Sequence, residues 1–253
     1  MLRGRWRIEP NDCPEVTLST GGQADAGLEG AVSRNAASRS REARTTRNPD
    51  LHGMVPDHSP VALLLLDVVN DLEFPGGERL VRHAVPMARR LARLRARAKR
   101  AGIPAIYVND NYGRWQSDFR RLTARCRREG ARGKPVVDLL TPADDDYFVL
   151  KPKHSGFFST TLEVLLAYLG ARTLILTGVA GNICVLFTAN DAYMRDFKLF
   201  VPADCVVSET REENEYALKQ MEKVLKADVR SFEELNLEEM KRITPQITRT
   251  ETA

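Results

Sequence analysis

Cys184 lies in the run Gly178-Val179-Ala180-Gly181-Asn182-Ile183-Cys184-Val185, directly after the apolar stretch Leu174-Ile175-Leu176-Thr177 and directly before a helical pattern. A thiol at a strand-to-helix turn is a candidate nucleophile. Gly178 and Gly181 permit a sharp turn, and Asn182 suits an N-cap. Cys184 then falls in the first helical turn, where free backbone N–H groups and the helix dipole favour a thiolate. The competing reading is a small buried core residue, the usual fate of a free cysteine. Two charged residues stand at comparable places: Asp67 follows six apolar residues, and Lys151 follows Tyr147-Phe148-Val149-Leu150. A charge at the end of an apolar strand needs a partner. Carboxylate, ammonium and thiol together would make a nucleophile with its base and an orienting cation. Taken singly, Asp67 and Lys151 read equally well as halves of a structural ion pair.

Positioning those three side chains requires strands that end at one level. From Pro60 onward, apolar runs alternate with amphipathic helical patterns. Strands are expected at Val61–Val69, Pro104–Asn109, Tyr147–Lys151, Thr173–Thr177, Leu199–Val201 and Ala227–Ser231; helices at Glu78–Ala101, Thr160–Leu169, Asn182–Asp196 and Thr210–Leu225. Continuous rather than alternating apolar runs suit a parallel sheet covered on both faces. The expected fold class is α/β, a three-layer α/β/α domain with a mostly parallel five- or six-stranded sheet. In that architecture the carboxyl ends of the strands carry the site.

The chain has 253 residues, enough for one sizeable core. Residues 1–58 lack periodicity and large apolar groups, so they are expected to be a disordered extension, with the domain at 59–240 and a tail at 241–253. Four cysteines are irregularly spaced and make no C-x-x-C pattern, and the chain opens without an apolar signal segment. A reduced, cytoplasmic setting is the expectation. No apolar stretch is long enough to span a bilayer. Residues 79–134 hold seventeen basic against three acidic side chains. That block could track a phosphate backbone. The spacing of Leu80, Ala84, Met87, Leu91, Leu94 and Ala98 favours a solvated helix face instead, and no aromatic-interleaved motif for nucleic acid accompanies it.

Three stretches together carry a family resemblance: LLLLDVVNDLEFPGG around Asp67, KPKHSGFFSTTLEVLL behind Lys151, and LILTGVAGNICVLFTANDAYMRDFKLFVPADCVVS around Cys184. The region from about Pro60 to Leu235 resembles the isochorismatase-like cysteine hydrolases. The resemblance implies Cys184 as nucleophile, Asp67 as general base and Lys151 as the cation holding both. It also implies a non-proline cis peptide at Val179–Ala180, with the Ala180 and Cys184 N–H groups forming an oxyanion hole. The implied enzyme is a hydrolase of carbon–nitrogen bonds other than peptide bonds, cleaving a small-molecule amide through a thioester at Cys184.

The nicotinamidase branch adds a metal site built on an Asp-x-His pair. Here the one such match, Asp50-Leu51-His52, lies outside the domain, so neither metal nor cofactor is expected. The isochorismatase branch proper lacks the nucleophilic cysteine, which weighs against vinyl-ether hydrolysis. Asn70, Asn109, Trp115 and Phe157 are the candidate substrate-binding residues, chosen as polar or aromatic groups near strand ends. The expected partners are a small-molecule substrate and, by the resemblance, further copies of the chain in a homo-oligomer. The alternative is a non-catalytic binding or scaffold protein that uses the basic region 79–134 for an anionic partner.

Overall fold

The computed structural model describes residues 58–113 and 118–244. The expected disordered extension, except His58, therefore lies outside the described residues, as does Trp115. Val61–Leu66 forms β1, and all six residues are buried. Val61, Leu63 and Leu65 enter one core, while Ala62, Leu64 and Leu66 enter a second on the opposite face of the sheet. A strand covered on both faces must read as one unbroken apolar run.

The remaining strands are β2 (Ala105–Asp110), β3 (Tyr147–Lys151), β4 (Thr173–Val179), β5 (Lys198–Phe200) and β6 (Val206–Val207). All pairings are parallel, in the order β3-β2-β1-β4-β5. β5 pairs with the first half of β4, and β6 pairs with its end at Gly178 and Val179. The first core is closed by α1 (Gly77–Arg100), α2 (Phe119–Cys126), α3 (Lys134–Leu139) and α7 (Leu237–Ile243). The second is closed by α4 (Leu162–Leu169), α5 (Leu186–Tyr193) and α6 (Arg211–Lys223). The result is the three-layer α/β/α arrangement expected from the alternation of apolar runs and helical patterns. Among the described residues no helix is long and apolar enough to cross a membrane.

Local chemistry explains both the agreements and the differences. On α1 the stripe Leu80, Ala84, Met87, Leu91, Leu94 and Ala98 is buried, as its spacing requires. The start of α6 is set by a capping box, with the Thr210 hydroxyl accepting from Glu213 N and the Glu213 carboxylate accepting from Thr210 N. The expected strand Val61–Val69 stops at Leu66 because Asp67 adopts φ 50°, outside the extended region. Expected strand Ala227–Ser231 is reduced to one parallel bridge between Phe200 and Asp228. The short helices α2, α3 and α7 and the two-residue β6 went unforeseen, since such segments are too brief to establish a period. Helix α7 runs past residue 240, and Thr244 Oγ1 lies 2.9 Å from Thr173 Oγ1 beside β4.

Candidate active site

Parallel registers bring the expected residues to one level. Leu66 of β1 is paired with Val108 of β2 and Gly178 of β4, and Asp110 of β2 with Lys151 of β3. Asp67, Asp110, Lys151 and the turn after Val179 therefore lie together beyond the carboxyl edge of the sheet. Asp67 Oδ2 is 2.8 Å from Lys151 Nζ, and Asp67 Oδ1 accepts a 2.6 Å hydrogen bond from Asp110 N. Lys151 Nζ also donates to Lys153 O at 3.2 Å and to Cys184 Sγ at 3.4 Å. Lys151 is fully buried and Asp67 nearly so, while Cys184 keeps partial access to solvent.

The turn that carries the thiol is built by steric exclusion. Gly178 has φ 112°, and a Cβ there would lie 2.1 Å from Leu66 O. At Gly181 a Cβ would meet Asn214 Oδ1 at 2.4 Å and Val206 Cγ1 at 2.8 Å. The Val179–Ala180 peptide is cis. Ala180 is extended, and its carbonyl accepts from Ile183 N and Val185 N, both at 3.1 Å. Gly181–Val185 then forms one π-helical turn that runs into α5. Cys184 thus sits in the first helical turn, but Asn182 is not the cap expected of it. Its own N–H donates to Ser208 Oγ at 3.1 Å, because the helix begins earlier, from Ala180.

The electrostatics also differ from the expectation of a resting thiolate. Burial, and next the Asp67 charge, push the Cys184 thiol up to about 12, against the pull of Lys151. Burial also raises the Asp67 carboxyl above the usual range, opposed chiefly by Lys151. Desolvation works against the Lys151 ammonium, but the charges of Asp67 and Cys184 outweigh it and hold this group above its ordinary value. Asp67 and Lys151 thus pair at 2.8 Å beside a thiol whose raised value favours its protonated form.

The other expected residues separate. Asn109 is 1% exposed at the end of β2, its Nδ2 donating to Val69 O at 2.9 Å. Asn70 uses its Oδ1 to accept from Leu72 N at 2.8 Å and shapes the bend after β1. Phe157 is a core side chain: it packs on Phe197 with the Arg195 guanidinium 4.9 Å from its ring centre, and its neighbour Phe158 is the exposed one. Among the described residues no group of three or more His, Cys, Asp or Glu side chains converges as a metal site.

Sequence reasoning missed the ties behind the nucleophile turn. Thr188 Oγ1 donates to Cys184 O at 2.7 Å and accepts from Gly156 N at 2.9 Å, and Ser155 Oγ donates to Asp191. Ser208 Oγ reaches Asn214 Oδ1 at 3.2 Å. A Thr four residues after Cys184 was the available signal, since its hydroxyl can bond back to the i−4 carbonyl.

Residues 61–234 match the family model described as Isochorismatase domain. The chain belongs to the isochorismatase family. Within this family, the isochorismatase family protein YaaI of Bacillus subtilis is 44% identical over 174 residues, covering 69% of this chain and 95% of YaaI. Ureidoacrylate amidohydrolase RutB of Methylobacterium radiotolerans is 32% identical, over 58% of this chain and 67% of RutB. Among solved structures, N-carbamoylsarcosine amidase of Thermoplasma acidophilum superposes with a TM-score of 0.54 at 27% identity, covering 70% of this chain and 98% of that one. The isochorismatase family assignment makes this chain a hydrolase by descent.

Proposed function

We propose that this protein hydrolyses the C–N bond of a small-molecule amide through a covalent thioester at Cys184. The observation that carries the reading is the buried Lys151 ammonium, 2.8 Å from Asp67 and 3.4 Å from Cys184. The names of RutB and the carbamoylsarcosine amidase support an amide substrate class. As Cys184 Sγ attacks the carbonyl carbon, Asp67 takes the thiol proton, and the Ala180 and Cys184 N–H groups receive the oxyanion. Asp67 then passes the proton to the departing nitrogen as the C–N bond breaks. Water next attacks the thioester with Asp67 again as base, the C–S bond breaks, and the thiol regains its proton. Lys151 stays charged throughout and holds the Asp67 carboxylate paired, while burial is what raises the basicity of Asp67.

The protein works on this reading as a homo-oligomer in a reducing compartment, where Cys126, Cys184 and Cys205 remain free thiols. Screening small amides for ammonia release identifies the substrate. On that substrate Cys184→Ala and Cys184→Ser abolish turnover with the fold intact, and Asp67→Asn and Lys151→Ala each lose roughly three orders of magnitude or more. Near-wild-type turnover by a Cys184 variant removes the covalent mechanism.

A further inference from the structure

The loops that follow β1 and β2 meet at Asp67. From the β2 side, Asp110 N donates to Asp67 Oδ1 at 2.6 Å, and Asn111 N donates to Lys151 O at 3.0 Å. The turn that presents these two N–H groups is tied by the Asp110 side chain, whose Oδ1 accepts from Tyr112 N at 2.5 Å. From the β1 side, the chain runs four residues on to Asp71, a second buried carboxylate. Neither loop is relaxed. Asp67, Leu72 and Tyr112 have φ of 50°, 55° and 55°, where Cβ crowds the backbone, and such conformations persist only where the surroundings hold them.

The grip on both loops comes from α2, which supplies no residue to the proposed reaction. Arg125 Nη2 is 2.9 Å from Asp71 Oδ2, and the same guanidinium lies 5.3 Å from the centre of the Tyr112 ring. The next residue, Cys126, is buried beside the Tyr112 hydroxyl. One planar cation therefore holds the β1 loop by a charged hydrogen bond and the β2 loop by a ring face. The contacts close a circuit, from Asp67 to Asp110, Tyr112, Arg125 and Asp71, and back along the chain to Asp67. The Asp67 carboxylate is fixed by an N–H group of one loop and by the backbone of the other. It can turn only if the circuit opens.

We propose that Arg125 is a positioning residue: by holding Asp71 and Tyr112 at once it locks the two loops that meet at Asp67, and so aims the Asp67 carboxylate at Cys184 and Lys151. The inference rests on the reading of Asp67 as general base. A base displaced by about 1 Å loses much of its effect, so a contact this far from the thiol can govern turnover without touching substrate.

The test uses Arg125→Met, which keeps the stem and removes the cation, and two readouts on the full chain. The first is steady-state hydrolysis of p-nitrophenyl acetate: Cys184 Sγ takes the acetyl group, p-nitrophenol leaves, and water cleaves the C–S bond with Asp67 as base to give acetate and the thiol. The second is alkylation of Cys184 by iodoacetamide at pH 8, followed on its peptide. Arg125→Met is expected to lower kcat for the ester about tenfold or more at nearly constant KM. Alkylation is expected to rise about threefold, because the Asp67 charge no longer faces the thiol. In the Asp67→Asn background the same substitution is expected to leave alkylation unchanged, since the carboxylate it positions is gone. Arg125→Lys, which gives Asp71 a cation but Tyr112 no planar group, is expected to shift both readouts in the same direction by less, and it decides the matter should Arg125→Met fail to fold. A lower melting temperature with both readouts unchanged overturns the proposal, as does an alkylation effect of equal size with and without the Asp67 carboxylate. Near-wild-type ester hydrolysis by Asp67→Asn would instead defeat the general-base reading, and the alkylation comparison would still decide whether Arg125 holds Asp67.

Discussion

Lys151 has three ammonium protons and three acceptors: Asp67 Oδ2, Lys153 O and Cys184 Sγ. A buried cation so fully engaged is costly to truncate, because the partner carboxylate is left unpaired away from water. The same arrangement decides how the thiol titrates. With Cys184 pushed up to about 12, only roughly one molecule in ten thousand carries the thiolate at pH 8 in the absence of substrate. Alkylation of Cys184 by iodoacetamide should therefore accelerate about tenfold per pH unit through pH 8 to 10, with no plateau near neutrality. A plateau at pH 7 would mean that the resting thiolate exists after all. The sign for the neighbour follows. The Asp67 charge is the second cause of the raised value, so Asp67→Asn should pull the thiol down and speed alkylation at pH 8 while turnover is lost. Slower alkylation in that variant would contradict the assigned electrostatics.

The segment after β3 and the helix after the nucleophile are joined by two side-chain bridges, Gly156 N to Thr188 Oγ1 and Ser155 Oγ to Asp191. Thr188 is fully buried and also grips Cys184 O, so one hydroxyl ties the Lys151 side of the site to the thiol side. Thr188→Val keeps the volume but leaves the buried Gly156 N–H unpaired. The expected outcome is a fall in kcat of about tenfold or more at nearly constant KM, rescued by Thr188→Ser. A loss of melting temperature without any change in kcat would make Thr188 merely structural. Elements of this kind mark the limit of what the sequence discloses. The strand ends with Asp67 and Lys151, the glycine turn before Cys184 and the start of α6 are all written in local patterns. The bridges are not, because Ser155, Thr188 and Ser208 look like ordinary hydroxyl residues until the fold brings their partners within reach. Asn182 misled for a related reason: its type suits a cap, but Ser208 from β6's end takes its N–H.

Across the whole molecule, the uneven charge of the chain is largely reconciled internally. Arg79 pairs with Glu209, Arg93 with Glu233, Lys99 with Asp145, and Arg95 with Asp146. Arg97 donates to Phe232 O at 2.7 Å and Leu235 O at 2.6 Å, with its guanidinium 5.9 Å from the Phe232 ring centre. The basic middle of the sequence thus docks the acidic segments before β3 and after β5, which favours the hydrolase over the scaffold that would need those arginines free. Exposed pairs contribute little, whereas Arg97 satisfies two backbone carbonyls. Arg97→Ala should lower the melting temperature by several degrees, corresponding to about 2 kcal/mol, and Arg82→Ala should leave it within a degree or so. Equal effects would show that the helix face acts as a diffuse charge rather than as a set of contacts.

The strand order has a consequence for how the chain comes into being. β1 lies between β2 and β4, so a chain synthesised only as far as Lys151 can pair β1, β2 and β3 while the other edge of β1 stays open. That edge is the apolar run Val61–Leu66. The strand that covers it is the one that delivers Cys184. Closing the sheet and bringing Cys184 to Lys151 are then a single event, and a half-made molecule carries an open apolar edge without that contact.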